Sequence, residues 1–395
     1  MDFGGFPGLW PFARAGEDAP MRWTALMLAL ALGCGDDDST MDASMADGAM
    51  DASRLDGSMA DSGIDAGTCM PRDPATLPDP GDCTPLPTDY APCADDMWPE
   101  CVSDSGEYVR IQDTISSIAR VRAFEDIAAL LFDPTTDPSG TDFMSARDIY
   151  QEPEGLDSRL VRRYDPHFDV PAGTDCTIPA TAAMFPDYCV GPAILQPIVL
   201  DAFARGAAEE APTRLHAARI EATLLWFLYV SAYKESLTCT TKAKDCDSSY
   251  AYYTGGEPAR GGIGLARYVH AVDPYAHDRA WDGVLAVRCW RDIDSADTAT
   301  DLELRDRARN QYDHAVLDGV AAIVADRLRK VASTTGDEQL YHWTFVQTLG
   351  QALDRSYQER DAASATAFAS ALEMSADAVD AVALADAIDA AYDCP

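Results

Sequence analysis

Helical spacing of apolar residues is the feature that most limits the fold of this chain, and it continues from about Tyr108 to the C terminus. Ile111, Ile115 and Ile118 follow one another at steps of three and four residues, the period of one face of a helix. Runs with the period of a strand are sparse over the same length. The pattern therefore predicts an all-α, multi-helix bundle-like domain over residues 107–395, which is long enough to bury a large core.

The individual helices are placed by these runs and by the Pro and Gly residues that interrupt them. The longest apolar run, Leu224–Val230, predicts the central core helix. This helix is expected to begin after Pro212, with Thr213 as its N-cap, and to end near Leu237. Residues 133–192 hold many helix breakers and are expected to form only short pieces. Other helices are predicted at 108–132, 193–205, 265–272, 278–290, 301–330, 338–355, 362–374 and 376–392.

The segment Met21–Cys34 carries the parts of an export signal: a positive charge at Arg22, a short apolar run and a small residue before a cysteine. The apolar run is too short to span a bilayer as a permanent helix, but it has the length of a secretory h-region. The sequence Leu-Ala-Leu-Gly-Cys at its end resembles the lipobox of bacterial lipoproteins.

That resemblance implies that residues 21–33 are a signal peptide and that Cys34 becomes the N terminus and carries lipid, including palmitate. The protein would then be held by this lipid at the inner or outer membrane of the bacterial cell envelope, with its domain outside the cytoplasm. Residues 1–20 resemble neither a signal nor a domain, and we interpret them as an extension upstream of a start at Met21.

Residues 34–68 predict a disordered acidic tether, because Asp, Ala, Ser, Gly and Met fill almost all of this stretch after the lipidated cysteine. Acidity extends beyond the tether, and the whole chain has a formal net charge of −36. Such a surface argues against nucleic acid and anionic lipid headgroups as partners, since both attract Lys and Arg. Two interpretations remain open: the charge serves solubility alone, or it also attracts cationic ligands.

The cysteine count points to an oxidising compartment. The chain has 11 Cys, and removal of Cys34 leaves an even number, as expected for disulfides in an exported protein. The sequence does not fix the connectivity, and the pairs that we favour are Cys239–Cys246, Cys176–Cys189 and Cys289–Cys394. Residues 69–106 form a Pro-rich collar whose own four cysteines are expected to pair among themselves: Cys69, Cys83, Cys93 and Cys101.

The tract 234–264 is the most distinctive candidate for a binding loop, because long loops rich in Tyr and Gly often hold ligands. The residues singled out are Tyr250, Tyr252, Tyr253, Gly255 and Gly256. Its glycines lack the Gly-Lys-Ser/Thr ending of a phosphate-binding loop. The alternative is a surface loop held by a disulfide, in which Gly and Pro only mark turns.

An acidic segment between two predicted helices partly matches a calcium-binding EF-hand loop. Positions one, three and twelve of such a loop are occupied by Asp292, Asp294 and Glu303. Position five is Ala296, and position six is Asp297 where the sharp turn needs Gly. The alternative is a solvated linker in which Asp301 caps the next helix.

Two functions follow from these patterns. The first is a lipid-anchored, disulfide-stapled domain that binds a protein or small ligand, with no catalytic residue and no cofactor. The second is an exported enzyme of the metal-dependent hydrolase class, with a site near Tyr250–His277. The side chains that cluster around Pro274, at the end of that stretch, are His270, Asp273, His277 and the adjacent Asp278. The chain lacks both H-E-x-x-H and G-x-S-x-G.

Overall fold

The structure is a computed structural model that describes residues 88–92, 97–257 and 260–392. The lipid site Cys34, the signal segment and the tether lie outside the described residues. So do four other cysteines: Cys69, Cys83, Cys93 and Cys394.

Helices account for all the regular structure in the described residues, which contain no strand, as the sequence predicts. They are α1 (Ser117–Leu131), α2 (Gly140–Tyr150), α3 (Leu156–Leu160), α4 (Pro179–Met184), α5 (Gln196–Ala207), α6 (Thr213–Thr238), α7 (Asp245–Thr254), α8 (Leu265–Val272), α9 (Pro274–Ile293), α10 (Leu302–Ser333), α11 (Gly336–Leu349), α12 (Asp354–Arg360), α13 (Ala362–Leu372) and α14 (Ala381–Tyr392). A π turn, Gly191–Leu195, precedes α5, and 3-10 turns occupy Gly350–Leu353 and Ala376–Ala378.

Helix α6 is the centre of the domain, as its apolar run predicts. Every residue from Ile220 to Ala232 is buried, because α5, α7 and α11 pack around this helix. The predicted N-cap is wrong: Pro212 precedes the helix, and the Thr213 hydroxyl donates to the carbonyl of Pro138 at 2.8 Å. No helix among the described residues combines the length and hydropathy that a bilayer crossing requires.

Helices α9 and α10 form the second half of the core and approach closely at Gly283. A Cβ added there would lie 2.5 Å from the Cα of Tyr312, a backbone atom that cannot move aside. A similar approach occurs where Gly319 of α10 meets the side chain of Val269 on α8. These two glycines therefore set the distances between the helices.

We expect Gly283→Ala to destabilise the domain by about 1–3 kcal/mol, since the new methyl group forces α9 and α10 apart. Gly261→Ala is the matched control, because a Cβ at Gly261 meets nothing within 4 Å. The control is expected to be neutral or to stabilise by less than about 1 kcal/mol. Urea unfolding measures both, and equal midpoints for the two variants would contradict the close approach.

The segment before α1 is not helical, although its isoleucines have helical spacing. Helix α1 begins at Ser117, and the carboxylate of Asp247 instead binds the backbone N–H groups of Ile111 and Gln112, each at 2.9 Å. The Tyr108 hydroxyl donates to the same carboxylate at 3.0 Å. These bonds from α7 satisfy the backbone in an irregular conformation, so the predicted start of this helix is wrong.

The stretch predicted to hold only short pieces contains an 11-residue helix, α2. Its start is a capping box in which Ser139 and Asp142 each bind the other's backbone N–H. The Ser-x-x-Asp spacing was the available signal, but the nearby Pro and Gly residues obscured it. This helix packs on α1 and α5.

Three disulfides lie within the described residues. Cys239–Cys246 and Cys176–Cys189 are bonded as predicted. Cys289 is bonded to Cys101, with their Cα atoms 5.4 Å apart. The predicted Cys289–Cys394 pair is therefore wrong, as is the pairing of Cys101 within the collar. Proximity along the chain predicted the two short links, whereas this bond joins residues 188 positions apart through the tertiary fold.

Candidate functional site

The tract predicted to be a surface binding loop is largely the helix α7. Tyr250, Tyr252 and Tyr253 are each at most 2 % exposed, so their rings belong to the core. Tyr250 stacks on Tyr108 with ring centroids 3.9 Å apart. Gly255 ends α7 in the left-handed conformation, and Gly256 follows with φ of 78°. The expectation of an exposed loop is wrong, because the aromatic side chains have core partners.

The stretch Tyr250–His277 does not bring a metal-binding group together. Burial lowers the pKa of His277 to about 4, and its Nδ1 lies 3.0 Å from the hydroxyl of Tyr253. His270 is exposed, with its ring centroid 5.1 Å from that of His277. Within the described residues, the only set of three potential ligand side chains is Cys101, Asp104 and Cys289. Its two sulfurs are joined in a disulfide.

The EF-hand-like segment folds around an arginine. The guanidinium of Arg291 donates to the backbone carbonyls of Asp294 and Ala296, at the centre of the loop. The Asp294 carboxylate accepts backbone N–H groups from residues 300 and 301. The Asp292 carboxylate accepts the N–H of residue 102, and Glu303 is exposed on α10. The three carboxylates do not converge on one point among the described residues.

The alternative interpretation of that segment was a linker in which Asp301 caps the next helix, and the cap is confirmed. Asp301 caps α10, with its side chain accepting the N–H of Leu304 at 3.0 Å. A buried guanidinium thus supplies the positive charge that a calcium loop would take from its ion, and the sequence match is explained by a structural turn.

A cleft of about 610 Å³ is the best-formed candidate site. It lies between α5 and α6 on one side and α11, α12 and α13 on the other, and the loop that follows α3 contributes Asp165 and Phe168 to its lining. Its aromatic side chains are Phe168, Trp226, Tyr229, Tyr357 and Phe368. Its larger aliphatic side chains are Val190, Ile194, Ile198 and Leu372. Polar and charged side chains make up a comparable share of the lining. Small-molecule sites in proteins have this range of volume.

Helix α6 places three of the lining residues by its own periodicity. Arg219, Trp226 and Tyr229 are separated by seven and three positions, so they lie on one face of the helix. Trp226 is 6 % exposed, and its indole Nε1 has no hydrogen-bond partner in the described part of the chain. This nitrogen is not itself buried, so it is open to water and can donate to a ligand in the cleft.

The charges of the cleft are unevenly balanced. Arg219 pairs with Asp201 at 2.6 Å, and Arg355 pairs with Glu359 at 2.7 Å; neither acid lines the cleft. The lining carboxylates without an ion pair among the described residues are Asp187, Asp354 and Glu373. All three are exposed at the rim of the cleft. The unbalanced charge that faces a ligand is therefore negative.

Beneath one end of the cleft, His167 is held between two carboxylates. Its Nδ1 lies 2.6 Å from Asp165, which lines the cleft, and its Nε2 lies 2.9 Å from Asp313. The ring stacks on Tyr233 with centroids 3.7 Å apart. Burial alone would lower the pKa of His167, but the charge of Asp313 and the two hydrogen bonds outweigh it and raise the pKa to about 9.

This histidine is consequently charged at neutral pH, and both of its N–H groups donate to carboxylates. A group in that state cannot accept a proton, so it is not a general base. Its single charge is shared between Asp165 and Asp313 and holds both carboxylates in place at that side of the cleft. Asp313 also accepts the hydroxyl of Tyr229 at 3.1 Å, which connects the network to α6.

The sequence alone does not reveal this site, since its residues are far apart in the chain. His167 was visible only as one of 6 scattered histidines. The 146 positions between His167 and Asp313 leave no local motif that could join them. Trp226 lies in the apolar run that predicts a core helix, and nothing in that run marks its indole as a cleft residue.

Comparisons with known proteins leave the cleft to be interpreted from its own chemistry. No protein-family model, no curated protein and no solved structure matches this chain. Its volume, its aromatic walls and its unbalanced carboxylates are the observations from which a function is inferred.

Proposed function

We propose that this chain is a lipid-anchored protein of the bacterial cell envelope whose helical domain binds a ligand in the cleft and has no catalytic role of its own. The observation that supports binding is the cleft itself. Its volume of about 610 Å³ and its aromatic and aliphatic walls are those of a binding pocket.

The chemistry around the cleft supports binding rather than catalysis. Catalysis by nucleophile or general base needs a reactive group aimed at the substrate, with a partner that activates it. His167, the histidine beside the cleft, has both ring nitrogens engaged with Asp165 and Asp313. The described disulfides occupy Cys101, Cys289 and two further pairs, so these sulfurs are not nucleophiles.

The location rests on the lipobox resemblance at Cys34, and the disulfides support it. Structural disulfides persist in oxidising compartments such as the bacterial periplasm and the cell surface. We expect intact-mass measurement of the protein from native membranes to find a lipidated N-terminal Cys34. The Cys34→Ser variant should lose the lipid and leave the membrane fraction. An unmodified thiol in cytosolic protein would contradict the location without bearing on the cleft.

Binding in the cleft is tested by filling it. Ala369 is exposed on α13 and lines the cleft, whereas Ala367 is exposed on the same helix outside the lining. Ligand-observed NMR with a mixed panel of anionic, neutral and cationic short-chain amphiphiles should show contacts to the wild type and to Ala367→Trp. Ala369→Trp should lose them while keeping its thermal stability. If no compound in the panel distinguishes the two variants, the cleft is not a binding site.

A further inference from the structure

We propose that the ligand of the cleft is an organic cation: a substituted ammonium group that carries an apolar chain and a hydrogen-bond acceptor. This inference rests on the proposed function, because it names the class of ligand for that same site. Three independent features of the lining support it, namely its charge, its aromatic faces and one unpartnered donor.

The charges that line the cleft indicate that its ligand is positively charged. Of the four lining carboxylates, Asp165 is paired with protonated His167, which it shares with Asp313, while Asp187, Asp354 and Glu373 have no ion pair among the described residues. The lining guanidinium groups are held by carboxylates outside the cleft. A cation therefore enters a negative rim, and the net charge of −36 attracts it from a distance.

Aromatic walls select a weakly hydrated cation. Five aromatic side chains line the cleft, and the Tyr357 and Phe368 rings have centroids 5.9 Å apart. The negative π faces of such rings attract alkylated ammonium groups, which lose little hydration on entry. Within the described residues, the rim carboxylates do not come close enough together to coordinate a metal ion. The geometry thus favours an organic cation over an inorganic one.

The remaining lining specifies the rest of the ligand. Val190, Ile194, Ile198 and Leu372 provide an aliphatic surface against which a short alkyl chain can pack. The indole N–H of Trp226, on a side chain that is 6 % exposed, has no acceptor in the described part of the chain. A carbonyl or ester oxygen on the ligand would supply that acceptor.

Butyrylcholine has all three parts and serves as the probe. Its neutral counterpart is 3,3-dimethylbutyl butanoate, in which a carbon atom replaces the ammonium nitrogen and the shape is retained. We expect the cation to bind at least about tenfold more tightly than the neutral ester in calorimetric titrations at low ionic strength. Added salt should weaken the binding of the cation several-fold and leave the affinity for the neutral ester unchanged.

Variants separate this inference from the proposed function. The double variant Asp187→Asn, Glu373→Gln changes only exposed side chains, so its fold should persist. This double variant should bind the cation at least about fivefold more weakly than the wild type and should bind the neutral ester with unchanged affinity. Ala369→Trp should abolish binding of both probes, whereas Ala367→Trp should change neither.

Each outcome decides one of the two proposals. If the neutral ester binds as tightly as the cation and Ala369→Trp still blocks it, the cation is the wrong class and the cleft remains a binding site. The cation is equally the wrong class if only anionic amphiphiles of the panel bind in the cleft. If neither probe nor any panel compound binds in the cleft, both proposals fail.

Discussion

Glu221→Ala is expected to destabilise the domain by about 3–5 kcal/mol. The Glu221 carboxylate lies inside the core on α6 and is 1 % exposed. It accepts hydrogen bonds from Arg327 at 2.7 Å, from the Tyr268 hydroxyl at 2.8 Å and from the Tyr341 hydroxyl. Its removal takes from the Arg327 guanidinium its ion-pair partner and from the hydroxyls of Tyr268 and buried Tyr341 their acceptor, and the cost of such orphaned groups dominates the effect.

Urea unfolding of matched variants measures this effect. Asp326→Ala removes a carboxylate that pairs with Lys330 at 2.7 Å on the exposed side of α10, where the ammonium side chain is 46 % exposed. Such a surface pair contributes about 0.5 kcal/mol or less. Glu221→Gln retains an acceptor oxygen without the charge. Its loss of stability should lie between those of Glu221→Ala and Asp326→Ala. Equal losses for Glu221→Ala and Asp326→Ala would refute a central role for the buried carboxylate.

The second large effect is a loss of stability at alkaline pH. Burial opposes the charged form of His167, but the attraction of Asp313 and Asp165 exceeds that penalty and raises the pKa from 6.5 to about 9 on folding. A raised pKa means that the folded state binds the proton more tightly than the unfolded state. The resulting stabilisation, about 3 kcal/mol, is complete below pH 6.5 and is lost as the pH rises through about 9.

His167→Gln isolates this contribution, because the variant has no imidazole to titrate. We expect the free energy of unfolding of the wild type to approach that of the variant as the pH increases from about 7 to about 10. His270→Gln, at an exposed histidine, is the control. Its free energy of unfolding should depend on pH in the same way as that of the wild type. A constant difference between wild type and His167→Gln over this range would show that the imidazole does not titrate there.

Local patterns predicted much of the helical framework. The apolar run Leu224–Val230 and the break at Pro212 located α6 to within one residue at its C-terminal end. The bounds of α8 agree with those predicted, and its N terminus follows a glycine with positive φ, Gly264. In these stretches the periodicity, the breakers and the tertiary packing favour the same structure.

The predictions were wrong where a distant partner outweighed the local pattern. The helical spacing of Ile111 and Ile115 would continue α1 towards the N terminus, but the carboxylate of Asp247 holds that backbone in another conformation. Tyr250 and its neighbours looked like loop residues because Gly and Cys flank them. They form a buried helix, since the aromatic ring of Tyr108 and helix α9 cover them.

The sequence by itself determined the helical class and the central helix, and it favoured the two disulfides between nearby cysteines, because each depends on spacing within a short stretch of chain. The tertiary structure alone decided the Cys101–Cys289 bond, the ion network of His167 and the cleft with Trp226 in its wall. Their parts lie far apart in sequence, and no local pattern records which ones meet. Packing of the helices brings those side chains together and so sets the charges and the hydrogen-bond donor that a ligand encounters.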